Sequence, residues 1–236
     1  MEPLPWDEFR TRLSRLLTAS RRWPSAQQRL VPELGYGRYR APALCGARPA
    51  AVCAVFYPHQ GHWQLPLILR PTHMADHAGQ ISLPGGVIDA GETDEHCALR
   101  ELHEELGVAT ESVQVLGRLS PIYLYTSHFQ VQPFVAVAAR RPCFVPNPAE
   151  VAALLELPVA HLLDHAHRGT HLLTRRGFAC LAPHIEFQGQ RIWGATAVIL
   201  SELIAILEEL CGVGCSEIHF SRINDCDHGK HLARKE

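Results

Sequence analysis

Between Gly86 and Val108 stand Glu92, Arg100, Glu101, Glu104 and Glu105, inside a stretch, GETDEHCALRELHEELGV, that carries six carboxylates over residues 91–108. Acids crowded in this way repel one another and raise each other's pKa values. At 3.6 residues per turn, Glu101, Glu104 and Glu105 fall at i, i+3 and i+4 and project from one side of a helix. Ala98, Leu99, Leu102 and Leu106 fall on a neighbouring arc that can bury against a sheet. A solvated helix face has the same outline, but four details point elsewhere. No lysine supports the acids at i, i+4; the only Lys or Arg is Arg100. Glu104 and Glu105 occupy the last turn, where the helix dipole disfavours negative charge. Gly85-Gly86 permits a loop whose backbone approaches a ligand closely. Glu92 precedes the helix and can fold back toward Arg100. A hard divalent cation, Mg2+ or Mn2+, resolves the repulsion, because it prefers carboxylate oxygens and keeps waters for a phosphate substrate.

The elements that must hold these residues follow from hydrophobic periodicity. DEFRTRLSRLLT (7–18) spaces Phe9, Leu13, Leu16 and Leu17 as an amphipathic helix. Residues 31–49, rich in Pro, Gly and Arg, read as an extended arm. AAVCAVFY (50–57) and LPLILR (65–70) form a pair of β-prone runs around the turn-like PHQGHW. ISLPGG (81–86) reads as a short strand entering a double-glycine turn, and residues 93–106 as a helix stopped by Gly107. VQVLGRLSPIYL (113–124) and FQVQPFVAVAA (129–139) alternate as strands. AEVAALLELPVAHLL (149–163) reads as a helix opened by Pro148 and interrupted at Pro158, HIEFQGQRIWG (184–194) as a hairpin or a bulged strand, and ATAVILSELIAILEEL (195–210) as a helix. The chain divides into an N-terminal helix and arm (1–46), a domain (47–210) and a polar tail (211–236). Strands mixed irregularly with a few helices point to an α+β fold or an α/β/α sandwich.

Gly86, five residues, Glu92, seven residues, then Arg100-Glu101-Leu102-x-Glu104-Glu105-x-Gly107-Val108 resembles the complete Nudix box, with every fixed position filled. The resemblance implies an α+β Nudix α/β/α sandwich with a mixed sheet, and metal-dependent hydrolysis of a nucleoside diphosphate linked to another moiety. It implies Glu101 and Glu105 as principal Mg2+ ligands, Glu104 completing the cluster, Glu92 and Arg100 bracing helix and loop, and the Gly85-Gly86 backbone facing metal or phosphate. Upstream, RPTHMADHAGQISLPGG (70–86) resembles the element that coenzyme A pyrophosphatases carry before the box. Arg70, His77, Gly79, Gln80, Ile81, Leu83 and Pro84 fit it, and the likeness extends over about residues 47–205. It implies a small-molecule CoA-type substrate, cleaved to adenosine 3′,5′-bisphosphate and a 4′-phosphopantetheine product. Arg70, His77 and Gln80 are then candidate substrate contacts, with a turn-capping role for His77 and a supporting hydrogen bond from Gln80 as the equal alternatives. Pro84 sets the entry to the glycine pair. Pro71 and Ala75 depart from the pattern, where serine and a basic residue are common. Other Nudix substrates (ADP-ribose, NADH, a dinucleotide) and a non-catalytic nucleotide sensor are the rival readings; intact acids and the absence of an attached DNA-binding segment weigh against the sensor.

The bulk composition sets the outer bounds. The 236 residues are 47 % hydrophobic and 19 % charged, with a formal charge of −2 and lysine only at 230 and 235. Such a balance gives no general footprint for nucleic acid or an anionic membrane. No signal-like n-region precedes an apolar run, no stretch is long enough to span a bilayer, and eight scattered cysteines suit a reducing cytoplasm. The arm either covers the pocket or joins two copies into a homodimer, and the residues do not choose. Cys211, Cys215, His219, Cys226 and His228 match no usual zinc spacing. His161, His165, His167 and His171 read as surface histidines, Arg140-Arg141 and Arg175-Arg176 as solvated pairs, and Trp193 as sheet packing.

Overall fold

Alternation along one strand organises the molecule. In β1 (Arg48–His59), Ala51, Cys53, Val55 and Tyr57 turn to one face and Ala50, Ala54 and Phe56 to the other, all of them buried. A strand apolar on both sides needs cover on both. Helix α2 (Asp94–Leu106) packs on the first face through Cys97, Ala98, Leu102 and Leu106. Helices α1 (Trp6–Thr18) and α4 (Ala195–Leu210) pack on the second through Phe9, Leu13, Leu200, Leu203 and their neighbours. The result is an α/β/α sandwich. It is seen in a computed structural model that describes residues 4–19, 26–32, 43–73, 77–175 and 178–212. Ala75, Arg176, Cys215, His219, Cys226 and His228 lie outside these residues, as do most of the expected tail and part of the arm.

The sheet is mixed, as expected. Strand β1 pairs in parallel with β7 (Phe129–Ala138) and antiparallel with β2 (His62–Leu69) and β4 (Gly85–Val87). The order is β3-β2-β1-β7-β5, with β3 at Ile81–Ser82 and β5 at Val113–Arg118. β6 (Ile122–Leu124) adds to β7, and β8 (Ala153–Pro158) adds to β2. A second sheet runs β9 (Arg168–Arg175), β10 (Phe178–Phe187) and β11 (Gln190–Trp193), so of the two expected forms the hairpin is the one present, turning at Gln188 and Gly189. Among the described residues no helix is long and apolar enough to cross a membrane.

Two expectations are corrected. The glycine pair does not form a free turn: Gly85 and Gly86 are paired to Val52 and Ala51 as strand β4. The helix expected over 149–163 is instead a turn, a strand and a short helix in succession. Ala153–Pro158 pairs with β2, burying Leu155 and Leu157 on alternate positions, and only α3 (Val159–Leu163) is helical. The Ala/Leu/Glu composition favours helix, but an open sheet edge and a proline at the end of the run outweigh that weak preference.

Candidate active site

Helix α2 is closed at both ends by its own sequence. Thr93 accepts the His96 N–H through its hydroxyl at 3.2 Å, and Gly107 stops the helix in the left-handed region at φ 70°. Capping of this kind fixes the phase of the helix, and so fixes which acids face the sheet. Glu105 faces it: its carboxyl is 1 % exposed and accepts the Gly85 N–H at 2.9 Å. Glu101, one turn earlier, lies against Gly86 so tightly that a Cβ there would sit 2.2 Å from its Oε1. The Glu101 carboxylate therefore rests against the glycine strand only because Gly86 has no side chain.

Arg100 ties the loop to the helix. Its Nε and Nη2 donate to the two oxygens of Glu92 at 2.9 and 3.0 Å, Nη2 also to the Val87 carbonyl at 3.1 Å, and Nη1 to Glu101 at 2.9 Å and Glu104 at 2.8 Å. These bonds hold Glu92 down to about 2. Arg100→Lys removes the planar fork that makes the paired bonds. It should lower stability by about 2 kcal/mol, seen as a Tm shift of a few degrees. Slack in Glu101 should lower activity ~10- to 100-fold. An unchanged Tm with unchanged turnover would remove Arg100 from the brace.

Of the expected trio, Glu101 and Glu105 stand side by side, and Glu104 lies further out on the helix. Glu104 turns outward, its side chain half exposed and held by Arg100. Glu150, from the loop between β7 and β8, approaches from the other side, and among the described residues the carboxylates of Glu101, Glu105 and Glu150 each offer an oxygen within 4.8 Å of the others. The helix brings i and i+4 inward while i+3 drifts toward solvent, so the third acid comes from elsewhere in the fold. Burial pushes Glu105 up to about 8, aided by the charge of Glu101 and opposed by the Gly85 N–H and Arg70. Burial likewise raises Glu101, with Glu104 and Glu150 adding to it against Arg100. Three converging carboxylates, two of them reluctant to ionise, form a donor set suited to a hard divalent cation.

Arg70 joins this group, and His77 and Gln80 bond each other in the segment that follows it. Arg70 directly follows β2, with Nη1 3.8 Å from Glu105 Oε1, and its Nε is buried without a hydrogen-bond partner. The following turn is closed by the Arg70 N–H on the Gln80 carbonyl at 3.0 Å and the Gly79 N–H on the Arg70 carbonyl at 3.2 Å. His77 and Gln80 bond each other, Nδ1 to Oε1, at 2.9 Å, with His77 at φ 58°. The turn presents Arg70. Pro84 accepts the Cys53 N–H at 2.9 Å, seating the loop on β1.

An α/β/α sandwich whose capped helix sets carboxylates against a glycine strand, with an arginine beside them, has the architecture of an enzyme acting on phosphate anhydrides. Residues 47–174 match the NUDIX domain model, and the chain belongs to the Nudix family of hydrolases, which act on pyrophosphate bonds. Its relatives include the mitochondrial coenzyme A diphosphatase NUDT8 of Homo sapiens, 34 % identical over 189 residues, covering 75 % of this chain and 80 % of that protein. An uncharacterized Nudix hydrolase, NudL, of Photorhabdus laumondii is 30 % identical over 181 residues, covering 76 % of this chain and 89 % of its own. The NudL of Enterobacter sp. (strain 638) is 34 % identical over 138 residues, or 58 % of this chain and 71 % of its own. Family members in general use divalent metal ions.

Proposed function

We propose that this chain hydrolyses the pyrophosphate bond of coenzyme A or a CoA derivative in the cytoplasm, with Mg2+ or Mn2+ held by Glu101, Glu105 and Glu150. The observation that carries the reading is Arg70, whose guanidinium lies 3.8 Å from the acid cluster with a buried, unpartnered Nε. A cation held by these acids, with an arginine at its edge, would accommodate two adjacent phosphates, one for each positive centre. The upstream turn through His77 and Gln80 matches the CoA-directed pattern, and the similarity to a coenzyme A diphosphatase spans four-fifths of that relative.

When bound, a divalent cation neutralises the pyrophosphate and supplies a water of lowered pKa. The chain does the rest. Glu101 and Glu105 present oxygens from one helix face, and Glu150 closes the third side. The Gly85 N–H keeps Glu105 turned inward. Arg70 takes the negative charge of the second phosphate, and Arg100 with Glu92 prevents the loop from drifting. Positioning and charge stabilisation are the larger part of catalysis at such sites.

The test is a substrate panel with Mg2+ or Mn2+: CoA, acetyl-CoA, ADP-ribose, NADH and diadenosine polyphosphate, with products resolved by chromatography. Preferential release of adenosine 3′,5′-bisphosphate from CoA or acetyl-CoA is expected. Cleavage of ADP-ribose or NADH with CoA untouched would sink the CoA assignment and leave the acid cluster standing.

A further inference from the structure

Glu150 lies far from the acidic helix in sequence, and something must hold it there. The loop that carries it is pinned at its start, where Arg141 grips both oxygens of Glu156 at 2.8 and 2.7 Å and the Tyr57 hydroxyl donates to the same carboxylate at 2.6 Å. It is pinned at its end by the Ala152 N–H on the Leu69 carbonyl at 2.8 Å, next to Arg70. Between these points the loop caps helix α2. The Val145 N–H donates to the Leu106 carbonyl at 2.8 Å, and the Asn147 N–H to the Glu105 carbonyl at 2.9 Å. Carbonyls in the last turn of a helix have no partner within it, so these bonds also satisfy groups that would otherwise be orphaned.

Asn147 touches both ends of the problem. Its backbone N–H holds the carbonyl of Glu105, and its side-chain Nδ2 donates to Glu150 Oε1 at 3.2 Å. Its Oδ1 accepts the Ala149 N–H at 3.1 Å, and its carbonyl accepts from Glu150 and Val151 at 3.0 and 2.8 Å. The side-chain amide is thus oriented by a turn that it forms itself, and the oriented amide aims Glu150. A donor on one carboxylate oxygen fixes the direction of the other, as outer partners do around metal-binding carboxylates.

We propose that Asn147 is the positioning residue of this site, setting the Glu150 carboxylate against Glu101 and Glu105 and locking that setting to the end of helix α2. The proposal rests on the reading of these acids as a cation site; it does not depend on which pyrophosphate is cleaved. The bland alternative is a loop turn that only keeps the chain folded. Asn147→Ser separates the two, because serine forms a similar local turn but is too short to reach Glu150.

The experiment measures Mn2+ affinity of the full chain by titration calorimetry, together with Tm, for N147S, E150Q, E105Q and the double variant N147S/E150Q. N147S is expected to weaken Mn2+ binding ~10- to 100-fold while Tm stays within about 3 °C of the parent. The double variant is expected to bind no worse than E150Q, since the side chain that Asn147 orients has then lost its ligand charge. Full Mn2+ affinity in N147S overturns the proposal, and so does a lowered Tm with affinity intact. Losses in N147S and E150Q that multiply also overturn it, because they would show Asn147 acting by another route. If E150Q binds like the parent while E105Q does not, Glu150 is outside the cation site and the proposal falls alone. If E105Q also binds like the parent, the cation reading beneath it falls as well.

Discussion

Glu105→Gln should abolish turnover and leave the protein folded, with more resistance to alkaline pH than the parent has in the absence of metal. The first effect follows from the proposed role. A bound divalent cation supplies several kcal/mol of transition-state stabilisation, and loss of an inward-facing charged ligand should remove most of it, about three orders of magnitude in kcat. The second follows from burial. Glutamine is nearly isosteric, keeps an acceptor for the Gly85 N–H, and carries no charge into a site where the carboxyl is 1 % exposed. A nucleotide-binding protein without activity would instead show weakened binding and no turnover to lose.

The pH dependence has a definite sign. Burial lifts Glu105 to about 8 in the folded chain, well above an ordinary carboxyl, so the folded state holds more protons than the unfolded state in the interval between. Stability associated with this group is full below the unfolded value and is lost as pH rises toward 8. Metal-free protein in EDTA should therefore melt at lower temperature at pH 8 than Glu105→Gln does, relative to their difference at pH 5. Saturating Mg2+ should narrow that gap, since the cation then compensates the buried charge. Parallel melting curves across the range would mean that Glu105 ionises freely and is not confined as described. Glu92 titrates with the opposite sign and far lower, because Arg100 holds it near 2, so it does not enter this window.

What the sequence discloses about this site divides by distance along the chain. Glu92, Arg100, Glu101 and Glu105 are legible because one helix and its lead-in loop set their spacing, and helical periodicity places them before any tertiary contact is known. Arg70 is legible in the same way, as the charged end of an apolar strand. Glu150 is not, because its proximity to Glu105 depends on the loop after β7 folding across the end of α2, which no local period encodes. The stretch around it even misleads: Asn147-Pro148 followed by an Ala/Leu-rich run has the look of a helix start, yet the asparagine caps a different helix through its backbone and the run joins β2 as a strand. Glu104 is the converse case, on the expected helix but half exposed and bonded to Arg100. Local pattern fixed the ridge, and the sheet decided which of its acids face inward.

Gly86→Ala and Gly85→Ala should separate function from folding at adjacent positions. A methyl at Gly86 would lie 2.2, 2.5 and 2.7 Å from Oε1, Cδ and Oε2 of Glu101, all at the movable end of one side chain. The clash is relieved by swinging that carboxylate away, which breaks its 2.9 Å bond to Arg100 and its place beside Glu105 and Glu150. Turnover should fall ~100-fold or more, Mn2+ affinity should fall with it, and Tm should change little. At Gly85 the added carbon would meet backbone instead, 2.3 Å from the Ala51 carbonyl oxygen and 2.6 Å from the Val52 Cα. Backbone paired within β1 cannot swing aside, so β4 must leave its register, and the loss there should appear first as a lowered Tm. Thermal melts and Mn2+ titration of the two variants side by side decide the matter. Equal destabilisation would mean that the Glu101 carboxylate is as rigidly fixed as the sheet. A folded Gly86→Ala with full activity would mean that Glu101 does not need the position in which Gly86 allows it to rest.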